Sequence, residues 1–265
     1  MILLVSCSNK KEEKKGDNID LNQENTSTAM VLKQAVTDID GNTYDAVQIG
    51  DQVWMAENLR TTKYADGTVI PYADGTAIPL DASLNSTSAY RYAPGTNNNS
   101  NDENMDNVVY YGYLYNWTAV MHCSSSSESI PSGVQGICPN GWHVPSDAEW
   151  TQLTDYMKTQ PNYIASGNPE HLSKALAATS GWNYSDDTDA PGYYPGTNNT
   201  TGFSALPAGC FVGDYSFFGE NAYFWSATEH NDDNAYYRGL SIGNALVFRT
   251  NGNKCTGISV RCIRD

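Results

Sequence analysis

Between Gly136 and Trp150 the chain reads GICPNGWHVPSDAEW, and no other stretch restricts its folding as much. Cys138 and Trp142 frame a Pro-Asn-Gly turn, and Pro145 and Ser146 then lead into a helix signal. The Ser146 hydroxyl is placed to accept from the Glu149 N–H while the Glu149 carboxylate reaches back to the Ser146 N–H, a reciprocal capping box. Trp150, Leu153 and Met157 follow at helical spacing, so this helix has an apolar face to bury.

The 265 residues carry 40% hydrophobic side chains, with 18 Tyr and 6 Trp, enough for a substantial core. Net charge is −15, from 15 basic and 30 acidic residues. That sign repels phosphate backbones and anionic membrane surfaces, which argues against nucleic acid as a partner. Asn, Ser, Thr, Gly and Tyr dominate over Lys, as suits an extracellular protein with hydrogen-bonding surfaces.

The first seven residues read as processing rather than fold. Leu3, Leu4 and Val5 form an apolar stub before Ser6 and Cys7, which resembles a bacterial lipobox with Cys7 lipidated. The stub is short for a signal peptide and no basic residue precedes it. No run of 18 apolar residues exists to span a bilayer, so the expected membrane link is this N-terminal lipid alone, at the outer membrane or cell surface. Residues 8–36 contain KKEEKK and GDNIDLNQENTST without apolar periodicity, and are expected to be a flexible tether reaching on the order of 30 Å.

A single folded domain is expected over 37–265. Asp40-Gly41 is a turn, Tyr44–Ile49 and Gln52–Met55 are strands, and Gly50-Asp51 joins them. An octapeptide then repeats as YADGTVIP (64–71) and YADGTAIP (72–79), each copy an Asp-Gly turn closed by Pro. Two copies are too few for a solenoid. PGTNN occurs at 94–98 and 195–199, and with CSSSSES from Cys123 these segments are expected to be surface excursions. PEHLSKALAAT (169–179) reads as a second short helix. AYYRGLSI, ALVFRT and GISVRCI, turning at Gly243-Asn244 and Asn251–Asn253, are expected to form an antiparallel meander. In the last of them Ile258, Val260 and Cys262 share one face, and Ser259, Arg261 and Ile263 the other. Early helices and late antiparallel strands give an α+β layout.

Six ordered blocks, GNTYDAVQIGDQVWMAENLR, YGYLYNW, CPNGWHVPSDAEW, TGFSALPAG, YFWSATE and SVRCIRD, resemble the Fibrobacter succinogenes major paralogous domain, a family of bacterial surface proteins. That family is related in fold to C-type lectins and formylglycine-generating enzymes. The resemblance implies an α+β, C-type lectin-like fold: two short helices on irregular antiparallel sheets with long loops, and Trp117 buried. It also implies a disulfide between Cys138 and Cys262, a closure stabilising by about 4–5 kcal/mol in the chain-entropy account. Cys210 and Cys255 then look like a second pair and Cys123 is left over. The rival scheme joins Cys123 to Cys138.

No motif announces a reaction. GxSxG, Walker, Rossmann and HExxH signatures are missing from the sequence. Formylglycine-generating enzymes use a Cys pair near the end of this fold, but Cys255 and Cys262 differ from it in spacing and flanking residues, so a cryptic oxidase is the weaker reading. The four His, at 122, 143, 171 and 230, lack zinc-site spacing. His143 reads as a core histidine donating to a backbone carbonyl. Glu229, Asp232 and Asp233 supply oxygens in the number a calcium loop begins with, yet the Glu-Pro-Asn and Trp-Asn-Asp motifs of sugar-binding lectins are missing. A solvated acidic turn explains them as well, and no cofactor is expected. The reading favoured here is a non-catalytic surface module for a glycan or protein ligand, with a structural coat protein as a further alternative. Its binding face is expected at Trp225, Glu229, Asn231, Asp232, Asn234, Tyr236 and Arg238, since Tyr, Trp and Asn combine ring area with hydrogen bonding at low ordering cost.

Overall fold

The computed structural model describes residues 29–73, 88–95 and 105–265. In chain order these form β1 (Met30–Thr37), β2 (Thr43–Ile49), β3 (Gln52–Met55), β4 (Arg91–Tyr92), α1 (Met105–Tyr111), β5 (Leu114–Tyr115), α2 (Trp117–Met121) and β6 (Trp142–His143). There follow α3 (Asp147–Lys158), α4 (Ser173–Leu176), β7 (Cys210–Phe211), β8 (Tyr215–Ser216), β9 (Asn221–Glu229), β10 (Asn234–Ser241), β11 (Asn244–Asn253) and β12 (Ile263–Arg264). One sheet has five strands in the order β1-β2-β3-β12-β6, another has three in the order β11-β10-β9, and β4-β5 and β7-β8 are small pairs. The named strands pair antiparallel throughout. The architecture is α+β, with mostly antiparallel sheets and few, short helices.

The capping box forms as the sequence implies. Glu149 N–H donates to Ser146 Oγ at 3.1 Å, and Ser146 N–H donates to Glu149 Oε2 at 2.9 Å. Trp150, Leu153 and Met157 are buried on the inner face of α3, and Trp150 packs on Trp54 at 4.5 Å between ring centroids. The second helix is shorter than the reading of 169–179. His171 N–H donates to Asn168 O in a turn before it, and Ala178 N–H leaves the helix to donate to Ala205 O.

Two expectations about the ends of the domain are corrected. The final segment does not complete a meander with β11. β11 runs straight through Asn251–Asn253, and β12 instead lies between β3 and β6 in the other sheet. Both faces of the final segment are consequently buried. Ile258, Val260 and Cys262 enter one hydrophobic cluster, with Trp225 and Trp117, while Ile263 enters a second, with Trp54 and Trp150. Burial on two sides explains why this stretch alternates less cleanly than a surface strand.

At the other end, the tether expected over 8–36 stops short. Residues 30–36 belong to β1, which pairs with β2 and brings Val36 and Leu32 onto the first cluster. The register slips between Leu32 and Val36, where Gln34 takes φ +46° and donates its N–H to Asp45 Oδ1. That bulge breaks the two-residue period, which hides the strand from a search for alternation. The remainder of the expected tether, with the expected signal and Cys7, lies outside the described residues, as does most of the second octapeptide copy. No described helix is long and apolar enough to cross a membrane.

The second PGTNN copy is a surface excursion, with Gly196 and Thr197 exposed, but one residue anchors it. Asn198 is buried and donates from Nδ2 to Ala178 O and Pro191 O, both at 3.0 Å. The Ser-rich loop after Cys123 is stitched to β9, since Ser127 N–H donates to Ala227 O and Thr228 Oγ1 donates to Ser127 O.

Candidate functional site

The β9–β10 hairpin ends in Glu229–Asn234, and its tip is organised by one side chain. Asn231 Oδ1 accepts from Asp233 N–H at 3.0 Å, Asn234 N–H at 2.9 Å and Asn234 Nδ2 at 3.0 Å. An Asn that closes its own turn in this way holds the loop without core packing. Lys254, just past β11, clasps the tip from the side: its Nζ donates to Glu229 Oε2 and to Asp232 O, each at 2.9 Å. The same ammonium lies 4.6 Å from the centroid of the Trp117 ring, whose Nε1 donates to Ser226 O. Of the carboxylates weighed for calcium, Glu229 is therefore already paired with a cation the chain supplies itself. Among the described residues no group of three His, Cys, Asp or Glu is arranged to hold a metal ion.

Two of the expected ligand-contacting residues are placed elsewhere. Trp225 is fully buried, with Nε1 donating to Tyr115 O at 2.9 Å, so it is a core residue. Arg238 is buried as well. Its guanidinium pairs with Asp147 Oδ1, and also donates to Asp147 O at 3.1 Å and Thr151 Oγ1 at 2.9 Å. The β-strand period puts Tyr236, Arg238 and Leu240 on one face of β10, and that face is covered by α3 from Arg238 onward.

Tyr236 lies one position beyond this cover and remains half-exposed. The Arg249 guanidinium stands 3.9 Å from its ring centroid, and its hydroxyl shares a 2.8 Å hydrogen bond with His230 Nδ1. Arg249 Nε donates to Asp147 Oδ2 at 2.8 Å, so a single carboxylate at the start of α3 holds two arginines. Burial draws the pKa of Arg249 down, but the Asp147 carboxylate and the Tyr236 hydroxyl outweigh it and raise it above the ordinary arginine value. For the more deeply buried Arg238 desolvation prevails over Asp147, and its pKa falls. Asp147, Arg249, Thr151, Gln152, Asp155 and Glu128 line an open depression of about 540 Å³ beside this ladder.

The structure thus brings Glu229, Asn231, Asp232, Asn234 and Tyr236 to one exposed hairpin tip and withdraws Trp225 and Arg238 into the interior. Asp147, Arg249, His230 and Lys254 complete the site and were not among the expected residues. The signal for Arg249 lay in the hairpin register, which sets it opposite Arg238. Rigid hydrogen-bonding groups and a half-exposed ring are what this surface offers to a ligand.

His143 departs from the expected carbonyl contact. Nε2 lies 2.9 Å from Glu149 Oε1 and Nδ1 lies 2.7 Å from Asp265 Oδ1. Carboxylates only accept, so both ring nitrogens donate and the ring is an imidazolium. Burial opposes that charge, but the two carboxylates overcome it and raise the pKa above 6.5.

Cys138 and Cys262 form the expected disulfide, with Cα atoms 6.0 Å apart and a sequence separation of 124. That excludes Cys123–Cys138, and it also denies a Cys255–Cys262 thiol pair of the oxidase kind. The expected Cys210–Cys255 bond is not made. On β7 it is Phe211, not Cys210, that bridges to Gly257 and stacks on Tyr92. Alternation turns Cys210 the other way, into the first cluster beside Tyr223 and Tyr237, where burial pushes its thiol up to about 11.

A family model described as the Fibrobacter succinogenes major domain matches residues 47–264. No curated protein and no solved structure matches the chain.

Proposed function

The chain belongs to the Fibrobacter succinogenes major domain family, and from that premise we propose that it is a non-catalytic recognition module, lipid-anchored through Cys7 at the bacterial outer membrane or cell surface, that binds a glycan or protein ligand through the β9–β10 hairpin tip. A C-type lectin-like fold is part of this reading. Support for it comes from β12 closing against β3 and β6, which joins the two ends of the domain, while long loops lead out to a separate three-stranded sheet.

The observation that carries the reading is the organised yet exposed tip. Asn231 and Lys254 fix its backbone, so the exposed Asp232 and Asp233 and the half-exposed Tyr236 are presented without an ordering cost at binding. Preorganisation of this kind is how a small surface achieves useful affinity. The acidic pair, the ring and the Arg249 guanidinium provide acceptors, a stacking face and a donor fork within one patch.

The test is a glycan-array screen of the domain, with calcium and with chelator, followed by Asp232→Ala/Asp233→Ala and Tyr236→Ala on any hit. These side chains leave the Asn231 turn intact, so the fold is preserved. A loss of affinity of tenfold or more supports the tip as the binding site. Unchanged affinity in both variants refutes it.

A further inference from the structure

The opposite face of the same sheet carries a second surface. Register fixes its membership: Gly239 pairs with Tyr223 on one side and Phe248 on the other, and Tyr237 pairs with Trp225 and Thr250. Opposed residues share a face, so Tyr223, Tyr237, Phe248 and Thr250 stand together, with Asn221 two positions before Tyr223. Trp225 seals the inner end of this face in the core, and its ring lies 5.9 Å from Tyr237. Outward from it the rings form a connected set, Tyr223 to Tyr237 at 5.6 Å and Tyr223 to Phe248 at 6.1 Å.

Tyr223, Tyr237 and Phe248 are half-buried, the two Tyr resting on the first cluster, and two features shape the surface they leave. A Cβ on Gly239 would lie 2.2 Å from the tip of the Phe248 ring, so only glycine lets that ring lie down across the sheet. Phe217, at the end of the β7–β8 pair, takes φ +60°, a left-handed conformation that a bulky residue rarely adopts. Its ring is 51% exposed and meets Tyr223 edge-on at 6.5 Å. Strain of this kind persists where surrounding structure enforces it.

The chemistry of the face selects among occupants. None of the strand residues that make it up is charged, on a chain of net charge −15; Glu220 acts on Tyr223 from its margin. A polyanion or a basic protein therefore finds no complementary group here. A stable protein interface needs about 800 Å² per partner, from roughly 20–30 residues, and this face offers four rings with a few polar atoms. That is the size of one or two sugar rings. Its polar atoms are the two Tyr hydroxyls and the Thr250 hydroxyl; the Tyr223 hydroxyl is held by Asn221 Nδ2 at 2.6 Å, while Asn221 Oδ1 is buried beneath the face.

We propose that the face formed by Tyr223, Tyr237, Phe248 and Phe217 is a stacking site for a neutral polysaccharide, separate from the hairpin tip. Apolar C–H faces of the sugar would lie on the rings, and its hydroxyls would meet the Tyr and Thr hydroxyls, as amphipathic aromatic side chains allow.

Native gel electrophoresis through soluble β-glucan, xylan or galactomannan tests this directly, with polygalacturonate as the charged control. The domain should be retarded by at least one neutral polymer and not by polygalacturonate. Phe217→Ala, at an exposed position that does not threaten the fold, and Tyr237→Ala should each weaken that retardation fivefold or more. Lys33→Ala, an exposed side chain on β1 outside both surfaces, should leave it unchanged, and loss of retardation in Asp232→Ala/Asp233→Ala would assign the polymer to the tip and overturn the proposal. Failure of every neutral polymer to retard the protein overturns the proposal, as does equal retardation of the two aromatic variants. So does a sedimentation result in which the face joins two copies and Phe217→Ala dissociates them.

Discussion

Single residues set the strongest local conditions in this protein, and Arg261 is the clearest. It is fully buried, and among the described residues no carboxylate reaches it within ion-pair distance. Its guanidinium donates to Asn58 Oδ1 at 2.6 Å, Met55 O at 2.8 Å, Phe203 O at 2.5 Å and Ser204 O at 2.8 Å, and lies 4.6 Å from the Phe203 ring centroid. Desolvation lowers its pKa to about 9, and the more distant Glu57 opposes this only in part. A buried charge is tolerated when each donor meets an acceptor, and here neutral carbonyls supply them. His143 is the second case and yields a pH prediction. Its folded pKa is raised above the unfolded value of 6.5, so the stability it adds is fully present below pH 6.5 and disappears as pH rises through the folded pKa. His143→Gln should cost about 1–3 kcal/mol at pH 6. The gap in Tm between it and the parent should narrow steadily toward pH 9. A gap independent of pH would mean the ring is neutral.

At the scale of elements, the last eight residues act as a wedge. The segment from Ile258 pairs with Tyr115 and Phe224 by single bridges, enters the five-stranded sheet as β12, and is tied to Cys138 by the disulfide. Asp265 adds its N–H to Gly141 O and its carboxylate to His143. Replacing Cys138 and Cys262 together by Ala should lower stability by roughly 4–5 kcal/mol, because the unfolded chain regains the freedom of a closed loop of over a hundred residues. Guanidinium unfolding monitored by Trp fluorescence reads this directly, and a loss below about 1 kcal/mol would show that β12 is held without the covalent tie. β1 permits a second test. A chain starting at Ala29 and one starting at Asp38 differ by this strand alone. The shorter should be less stable by about 2–3 kcal/mol, since Leu32 and Val36 leave the first cluster. Equal stability would make β1 a bystander.

For the molecule as a whole, local patterns determined the elements and tertiary contacts determined what those elements do. The α3 cap, its buried stripe, the β2–β3 hairpin and the β9–β10–β11 run are readable from the chain because each rests on neighbours within a few positions. The family blocks add Cys138–Cys262, a pairing that spacing alone leaves open. Nothing local announces that β12 leaves β11 for the five-stranded sheet, since the choice depends on which apolar face is vacant elsewhere. The same holds at the candidate sites. Trp225 and Tyr237 are equally aromatic in sequence and opposed in register, yet one is sealed within the first cluster and the other packs only against its margin. Arg238 and Arg249 both turn to Asp147, ninety-one and one hundred and two positions away, and only α3 lying across the sheet decides that the first is buried and the second is not. Short-range capping, turn and alternation forces act between residues the sequence already places together. Burial depends on what the whole chain brings to the other side, and that is settled only in three dimensions.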